Sequence, residues 1–326
     1  MAILVTGGAG YIGSICVEEL LAEGHEVVVI DNLQEGHREA LMAKAVFYEG
    51  DFGDRSMLDR IFREREIDAV MHFAADTKVE ESMRDPGRYF LNNAAKGIAL
   101  LDAMLAARCR RIIFSSTAAV FGEPQYIPVD EGHPLAPVNP YGESKLFFER
   151  ILHWYNQSRG IAFIVLRYFN AAGATERFGD AHRKPTLLIP VIMEALLGKR
   201  ESLRINGRDY PTDDGTCVRD YIHVKDIARA HVLALDRIDE HPQSLFNLGN
   251  GRGFTNLQVL RTVEEVTGRT VPFDMGPRRA GDPAVLVASS DQARNKLGWA
   301  PAHVRLEDIV RSAWEWRRTH PDGYKK

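Results

Sequence analysis

The sequence is short of cysteine, of clustered histidine, of basic excess and of long apolar runs. Its three cysteines, Cys16, Cys109 and Cys217, have a spacing that fits neither a disulfide framework nor a zinc site. Its eleven histidines form no His-x-x-x-His or similar cluster, so we expect no metal site. We interpret the cysteines as reduced thiols of a cytoplasmic protein.

The charge balance and the apolar pattern exclude further classes. The formal net charge is −4 over 326 residues, which gives no indication of a nucleic-acid or membrane partner. No apolar run approaches the roughly 18 residues that cross a bilayer, and no basic region of a signal peptide is present. We therefore expect a soluble, unexported protein with one large domain and a smaller one.

What the N-terminal region does contain is a glycine-rich turn between a strand and a helix. Ala2–Thr6 predicts a short buried strand, Gly7–Gly13 is the turn, and Ile12–Ala22 has helical periodicity. Such a turn lets the backbone approach a pyrophosphate, to which the helix N-terminus presents N–H groups. A second strand, Glu26–Ile30, leads into Asp31, whose carboxylate can hold a ribose 2′-hydroxyl and would repel a 2′-phosphate. The pattern predicts NAD rather than NADP.

Strands and helices continue to alternate as far as about residue 168. Further strands are predicted at Ala45–Tyr48, Ala69–Phe73, Arg111–Ser115 and Ile161–Arg167. Helices are predicted at Ser56–Arg65 (with Ser56 as its cap), Pro86–Ala107 and Pro140–Ser158. The alternation predicts an α/β fold, a doubly wound parallel Rossmann-type sheet with helices on both faces. Ligands of such sheets bind at the carboxyl ends of the strands.

After Asn170 the sequence becomes rich in glycine, aspartate and proline. We expect an NAD-binding domain over residues 1–168 and a smaller, discontinuous α/β substrate domain over residues 169–326. Elements predicted in this second part are the helices Leu187–Leu197 and Arg305–Arg317 and the strands Val218–Val224 and Leu245–Leu248. These strands are candidates to return the chain to the main sheet near residues 218–250.

Tyr141 and Lys145 lie four residues apart on a predicted helix, so both side chains can contact one ligand. A lysine close to a tyrosine favours the phenolate, and a nicotinamide cation would favour it further. Lowering the tyrosine pKa by about three units requires roughly 4 kcal/mol, which two cations in a dry site can supply together. The pair is a candidate proton-transfer unit, although the same spacing also occurs on solvated helix surfaces.

Several motifs resemble known families. The chain resembles the superfamily of extended short-chain dehydrogenases/reductases in five motifs: Gly7–Ser14, His72–Ala75, Phe114–Gly122, Asn139–Gly142 and Leu166–Asn170. More narrowly, it resembles the UDP-glucose 4-epimerase family in four others: Asp209–Thr212, Asp214–Val224, Asn247–Gly251 and Arg278–Asp282. The resemblance covers nearly the whole chain. It implies an isomerase that epimerises UDP-glucose and UDP-galactose by transient oxidation at C4, with NAD as hydride carrier.

The resemblance also implies residue roles. Tyr141 would take the proton of the 4-hydroxyl, Lys145 would hold the nicotinamide ribose, and Thr117 would hydrogen-bond the reacting oxygen. Implied in NAD binding are Gly7, Gly10, Tyr11, Ile12, Gly13, Asp31, Asn32, Asp51, Phe52, Phe73, Ala74, Ala75, Asn92, Ser115, Tyr141, Lys145, Tyr168 and Phe169. Implied in binding the UDP-sugar are Thr117, Tyr141, Asn170, Leu188, Arg219, Arg279, Asp282 and Leu286. Two of these have simpler interpretations, because a strand-end threonine often caps a turn and Asn92 could be a polar surface position.

The chain departs from the family pattern mainly at the nucleotide end. Leu187 stands where relatives usually have a polar residue beside the diphosphate, and Asn206 where an aromatic residue commonly faces the uracil. Leu286, at the sugar pocket, has an intermediate size that leaves N-acetylated sugars open. Other departures are Ile15, Thr77 and Glu80, the last of which adds a charge that we expect close to the site. The redox chemistry is therefore expected to be retained, while the base and the sugar stay open.

Three alternatives stand beside UDP-hexose epimerisation. One is a 4-epimerase of another nucleoside diphosphate sugar, such as an N-acetylated, pentose or uronate substrate. A second is a dehydratase or reductase, which is disfavoured by the lack of an acidic residue after Thr117 and by Asp31. The third is a non-enzymatic NAD-binding scaffold, whose signature would be the loss of Tyr141 or Lys145.

The two long predicted helices also bear on assembly. The helix Pro140–Ser158 carries an apolar stripe of Phe147, Ile151, Trp154 and Tyr155, and Pro86–Ala107 carries a similar one. In the resembled family such helices pair with their copies, so the resemblance implies a homodimer. The alternative is that both stripes face the core of their own subunit.

Overall fold

The computed structural model describes residues 1–279 and 282–324. Its strands are β1 (Ala2–Thr6), β2 (Glu26–Asp31), β3 (Val46–Glu49), β4 (Ala69–His72), β5 (Arg111–Thr117), β6 (Ala162–Tyr168), β7 (Asn170–Ala172), β8 (Leu203–Asn206), β9 (Val218–His223), β10 (Gln243–Leu248), β11 (Gly253–Thr255), β12 (Phe273–Gly276) and β13 (Val285–Leu286). Its helices are α1 (Tyr11–Ala22), α2 (Arg55–Glu64), α3 (Val79–Arg84), α4 (Pro86–Phe90), α5 (Lys96–Ala106), α6 (Pro140–Arg159), α7 (Leu188–Leu196), α8 (Val224–Arg237), α9 (Asn256–Thr267) and α10 (Leu306–Thr319). A π-helical turn, Leu91–Ala95, joins α4 to α5.

Seven strands form one parallel sheet in the order β3-β2-β1-β4-β5-β6-β10. The chain winds outward in both directions from β1 and β4, and this reversal point is where a doubly wound sheet binds its ligand. The predicted fold class is confirmed, and β10 is a seventh strand that returns from the second half of the chain.

The side chains of the central strands alternate between two cores, because successive strand residues point to opposite faces. Ile3 and Val5 pack on the face that is covered by α1 and α8. Leu4, Val28 and Ile30 pack on the other face, under α2, α5 and α6. Burial on both faces explains why these strands are continuous apolar runs rather than alternating ones.

The second half of the chain adds two smaller sheets. One contains β11, β9, β13 and β7, and the other pairs β8 with β12. A third core lies among α7, α9, α10 and these strands. Of the two strands considered as returns to the main sheet, β10 lies there and β9 lies in the smaller sheet. The domain boundary after residue 168 stays a prediction.

One local detail differs from the sequence prediction, and one predicted motif lies partly outside the described residues. The cap of α2 is Asp54, whose side chain accepts from the backbone N–H groups of Ser56 and Met57, so the assignment of Ser56 as the cap is wrong. Ala280 and Gly281, part of the predicted Arg278–Asp282 motif, lie outside the described residues. In the described part of the chain, no helix is long and apolar enough to cross a membrane.

Candidate active site

A cleft of about 630 Å³ opens at the carboxyl edge of the large sheet. This volume lies within the range of small-molecule and cofactor sites. The cleft is lined by the turns after β1, β2, β4, β5 and β6 and by residues of the second half of the chain. It brings together all of the residues predicted to bind NAD or the UDP-sugar except Asp51 and Leu188, which lie outside its lining.

The glycine-rich turn packs so closely that two of its residues have no room for a side chain. Gly7 has a φ of +75°, and a Cβ there would lie 2.7 Å from the backbone nitrogen of Ala74. A Cβ on Gly13 would lie 2.2 Å from the carbonyl oxygen of Gly7. The bare backbone and the N-terminus of α1 thus form a cradle that fits the pyrophosphate of a dinucleotide.

Asp31 ends β2 and is only 8% exposed. One carboxylate oxygen accepts from the backbone N–H of Ala9 at 3.0 Å, and the other accepts from that of Leu33 at 2.8 Å. Burial raises the pKa of Asp31, and these two hydrogen bonds oppose the rise. The carboxylate is therefore fixed at the rim of the turn, with acceptor capacity left for ribose hydroxyls.

Asp51 and Asn92 are linked through a lysine. The ammonium of Lys96 forms an ion pair with Asp51 and donates to the side-chain oxygen of Asn92 at 3.1 Å. Asn92 is part of the lining of the cleft, whereas Asp51 is not. Asp51 can thus act on the cleft through Lys96 and Asn92, and its direct contact with NAD stays a prediction.

Helix α6 places Tyr141 and Lys145 in its first two turns. The side chain of Asn139 caps the helix by accepting from the N–H of Gly142 at 2.9 Å. A Cβ on Gly142 would lie 2.5 Å from the carbonyl oxygen of Ala119, so glycine permits the helix to approach the end of β5 closely. Tyr141 and Lys145 therefore lie close to the carboxyl end of β5, and both line the cleft.

Lys145 is 2% exposed, and its ammonium donates to the carbonyl oxygen of Ser115 at 2.8 Å. It also lies 4.8 Å from the ring centroid of Phe114. Burial lowers the pKa of Lys145 to about 7, and the charge of Glu149 opposes this fall. Burial raises the pKa of Tyr141, and a hydrogen bond with Thr117 opposes that rise. Depression of the Tyr141 pKa by Lys145 stays a prediction.

Thr117 fits both interpretations that the sequence left open. Its hydroxyl accepts from the backbone N–H of Ala119 at 3.1 Å and so caps the turn after β5. Thr117 and Tyr141 line the same cleft, and a hydrogen bond with Thr117 opposes the rise that burial causes in the pKa of Tyr141. A turn-capping role therefore does not remove Thr117 from the site.

The predicted phosphate-binding arginines meet at one carboxylate. Arg219, on β9, is 8% exposed and donates to the carbonyl oxygens of Val218 at 2.8 Å and Pro283 at 2.9 Å. One of its nitrogens lies 3.4 Å from Asp282, and Arg279 lies 4.0 Å from the other oxygen of that carboxylate. The two guanidinium groups are thus held at the same end of the cleft, where an anion would be bound.

The positions that depart from the family pattern lie at different distances from the cleft: some line it and others do not. Leu187 lines the cleft and is 41% exposed, whereas Leu188 packs against the third core. Asn206 ends β8 outside the lining of the cleft. Glu80, expected close to the site, lies at the surface in an ion pair with Arg84, so the expected added charge does not reach the cleft.

The sequence predictions missed several residues that line the cleft. Among them are Gln34, Glu35, Gly36, His37, His182 and Lys184. Lys78 forms an ion pair with Glu35, and the Nε2 atom of His37 lies 2.8 Å from the carbonyl oxygen of Ala181. These residues come from aperiodic loops that are far apart in the chain, so no local pattern indicates that they meet.

Comparisons with known proteins agree with this geometry. The model of the NAD dependent epimerase/dehydratase family matches residues 3–249. A UDP-glucose 4-epimerase of Lacticaseibacillus casei is 49% identical over 99% of this chain and 99% of its own. A crystal structure of UDP-glucose 4-epimerase has a TM-score of 0.97 at 46% identity, with 100% of both chains covered. Another, from Stenotrophomonas maltophila with bound NAD and formylated UDP-arabinopyranose, has a TM-score of 0.94 at 40% identity and covers 98% of this chain and 99% of that one.

Proposed function

The chain belongs to the NAD dependent epimerase/dehydratase family, and we propose that it is an isomerase that interconverts UDP-glucose and UDP-galactose at C4. The observation that carries this conclusion is the meeting of Tyr141, Lys145 and Thr117 beside the glycine-rich turn. The turn after Thr117 consists of two alanines in place of the acid that a dehydratase would use. The reaction is therefore reversible oxidation at one carbon, without elimination.

The residues present fit NAD, because Gly7 and Gly13 leave the backbone bare and the fixed Asp31 carboxylate can accept hydrogen bonds from ribose hydroxyls. NAD, when bound, supplies the hydride acceptor for oxidation and the donor for its reversal. The phenolic oxygen of Tyr141 accepts the proton of the 4-hydroxyl and later returns it. Thr117 donates a hydrogen bond to the reacting oxygen, and Lys145 holds a positive charge close to the phenol.

The UDP part of the substrate is assigned to the arginine end of the cleft. Arg219 and Arg279 stay charged at all working pH values and can bind phosphate oxygens in a bidentate fork. Asp282 lies between the two arginines. Its carboxylate would either accept hydrogen bonds from the hydroxyl groups of the uridine ribose or orient the two guanidinium groups. Asn170 and Leu286 line the same cleft and are placed to contact the sugar.

The test is a product analysis without any added hydride donor. The protein is incubated with UDP-glucose, UDP-N-acetylglucosamine, UDP-xylose and UDP-glucuronate in separate reactions. We expect UDP-glucose to convert to UDP-galactose with no net NADH. Net NADH, loss of water or loss of carbon dioxide would contradict the proposal and favour a dehydrogenase, a dehydratase or a decarboxylase.

A second candidate function is 4-epimerisation of another nucleoside diphosphate sugar. It is favoured by Leu187, which presents an apolar side chain to the cleft where a polar contact to the diphosphate is usual. The same product analysis separates the two, because this candidate predicts faster conversion of the N-acetylated, pentose or uronate substrate than of UDP-glucose.

The proposal extends to a cytoplasmic homodimer acting in galactose metabolism. On the α4–α6 side, Leu91 is 60% exposed, Phe147 47% and Trp154 68%. Ile151 and Tyr155, from the same predicted stripe, instead pack against the second core. The predicted apolar stripe is therefore shared between the core of the subunit and its surface. We assign the exposed part to contact with a second copy of the chain. Sedimentation at micromolar concentration tests this, and a monomer there would overturn it.

A further inference from the structure

Behind Lys145, α6 carries a third polar residue of the same face. Glu149 is spaced four residues from Lys145, as Lys145 is from Tyr141, so the three side chains lie along one stripe. Glu149 is 5% exposed, and its Oε1 atom accepts from the hydroxyl of Ser116 at 2.5 Å. A carboxylate so deeply buried needs a partner, since an unpaired charge in the interior is strongly unfavourable.

The partner is Arg167 on β6, which is 2% exposed. Its Nε atom donates to Oε1 of Glu149 at 3.0 Å, and a terminal nitrogen donates to Oε2. Arg167 is also paired in register with Ser116 on β5. The Glu149 carboxylate therefore ties α6 to two neighbouring strands at once.

A buried ion pair is weak evidence for stability, because apolar residues of similar volume are often as stable or more so. Glu149 lies one helical turn from Lys145 on α6, and its charge acts on Lys145 through a poorly screened interior. Its position is thus better explained by an effect on Lys145 and Tyr141 than by a contribution to folding.

We propose that Glu149 and Arg167 are positioning residues of the active site. They hold α6 in register with β5, and they keep a negative charge one helical turn behind Lys145, so that the ammonium stays charged beside Tyr141. This inference rests on the proposed function for its catalytic meaning.

Among the titratable and charged groups around Lys145, Glu149 is the one that supplies a negative charge. The titratable or charged residues that face it from the packed elements are Tyr141 and Glu149 on α6, His72 on β4, and Arg167 and Tyr168 on β6. Burial lowers the pKa of His72 to about 3, and the nearby Lys145 adds to this fall, so the imidazole is neutral. Burial raises the pKa of Tyr168 well above its usual value.

The sign of the effect follows from the charges. An anion near an ammonium favours its protonated form, so Glu149 raises the pKa of Lys145 against the effect of burial. Without Glu149, Lys145 would lose its proton at a lower pH. Because turnover needs the charged ammonium, the alkaline limb of the pH–rate profile would then move to lower pH.

The experiment compares Glu149→Gln, which removes the charge, with Glu149→Asp, which keeps it, in the NAD-containing enzyme. The titration midpoint of Lys145 is read by NMR from 13C-labelled lysine, with its signal assigned by its loss in Lys145→Arg. We expect the midpoint to fall by about one pH unit in Glu149→Gln, equivalent to a tenfold change in the protonation equilibrium. The alkaline limb of kcat should move with it, and Glu149→Asp should restore both.

The matched control is Glu143→Gln, which removes a carboxylate from the half-exposed face of the same helix, where it lies 3.9 Å from Arg150. It should leave the Lys145 midpoint unchanged. Should Glu149→Gln fail to fold because Arg167 is left unpaired, the double variant Glu149→Leu/Arg167→Met removes both charges. Its midpoint should still fall, but by less than in Glu149→Gln, because the loss of the Arg167 cation opposes the loss of the Glu149 carboxylate.

Two results would overturn the inference. One is a Lys145 midpoint that does not move in the charge-free variants. The other is an equal loss of turnover in Glu149→Asp and Glu149→Gln with an unchanged pH limb, which is what packing alone predicts. The NMR midpoint is read without turnover, so an inactive wild-type protein with a midpoint sensitive to Glu149 would reject the proposed function and not the electrostatic role.

Discussion

The two halves of the cleft are built by different means. In the half that we assign to NAD, the dinucleotide half, the lining residues follow directly from strand ends of the large sheet, as with Gly7 after β1 and Asp31 at the end of β2. In the half that we assign to the UDP-sugar, the sugar-nucleotide half, they come from the smaller sheet and from loops, as with Arg219 on β9 and Leu286 on β13. The first half depends on closely packed backbone at Gly7 and on a carboxylate fixed at a strand end, whereas the second depends on side chains such as those of Arg219 and Leu286.

This difference predicts how each half responds to change. A backbone cradle tolerates no added atom, because the neighbouring backbone cannot move aside without disturbing the sheet. A side-chain pocket can be altered by one residue while its frame stays intact, which is why loops on a rigid scaffold usually determine selectivity. Substitutions at the boundary and in each half should therefore affect turnover, cofactor retention and substrate choice separately.

The largest effect is expected at the boundary of the two halves, with Tyr141→Phe. Removal of the phenolic oxygen eliminates the proton acceptor, so kcat should fall by about 10²- to 10⁴-fold. Bound NAD and the affinity for the UDP-sugar should be retained, because the ring still fills its place. Turnover and the NAD content of the purified protein are the measurements.

Its control is Tyr155→Phe on the same helix, whose hydroxyl donates to Asp102 at 2.7 Å away from the cleft. This variant should keep its turnover. Unchanged turnover in Tyr141→Phe would remove Tyr141 from the mechanism and leave the cleft without its proposed base.

The next effect is expected in the dinucleotide half, with Gly13→Ala. The added Cβ would lie 2.2 Å from the carbonyl oxygen of Gly7, so the turn must distort. We expect loss of bound NAD and a stability decrease of roughly 1–3 kcal/mol, measured by absorbance of the released cofactor and by thermal unfolding. Gly87→Ala, at a site with open space around it, should change neither, and full NAD retention in Gly13→Ala would contradict the cradle.

The dinucleotide half is also the half that could be predicted from the sequence. Short apolar runs bounded by turn residues, glycine at a strand-to-helix turn and the acid at the end of β2 are local signals, and each acts within about thirty residues. The strand order then follows from the connection rules of parallel sheets. Only short-range details failed there, such as the cap of α2, where Asp54 is used in place of Ser56.

The sugar-nucleotide half could be predicted only through the resemblance, because its contacts are long-range. The guanidinium of Arg219 donates to the carbonyl oxygen of Pro283, 64 residues away in the chain, and β9 joins a sheet whose members come from four separate segments. The Glu149–Arg167 pair shows a related limit inside the large domain, because the sequence spacing of 18 residues does not indicate that a side chain on α6 and one on β6 will meet. Local sequence patterns do not encode such pairs, which form only when the tertiary structure brings them together.

A smaller effect is expected in the sugar-nucleotide half, with Arg219→Lys. The charge is kept, but the fork that can bind two phosphate oxygens is lost, so KM for the UDP-sugar should rise about 10- to 100-fold. The kcat value should change little, since the reacting carbon is held elsewhere.

The control is Arg278→Lys, because Arg278 pairs with Asp209 outside this cleft. An equal rise of KM in this control would indicate a general loss of structure.

The smallest effect on the enzyme as a whole, and the most specific effect on substrate selectivity, is expected with Leu286→Ala. Leu286 is half-buried against a cluster that includes Phe169 and Ala288, so its truncation enlarges the sugar end of the cleft without touching the backbone cradle. The ratio of kcat/KM for UDP-N-acetylglucosamine to that for UDP-glucose should rise roughly tenfold, and Leu286→Tyr should lower it. Bound NAD should stay constant in both variants. A loss of NAD in either one would contradict the separation of the two halves, because a side chain on β13 would then be supporting the dinucleotide as well as the sugar.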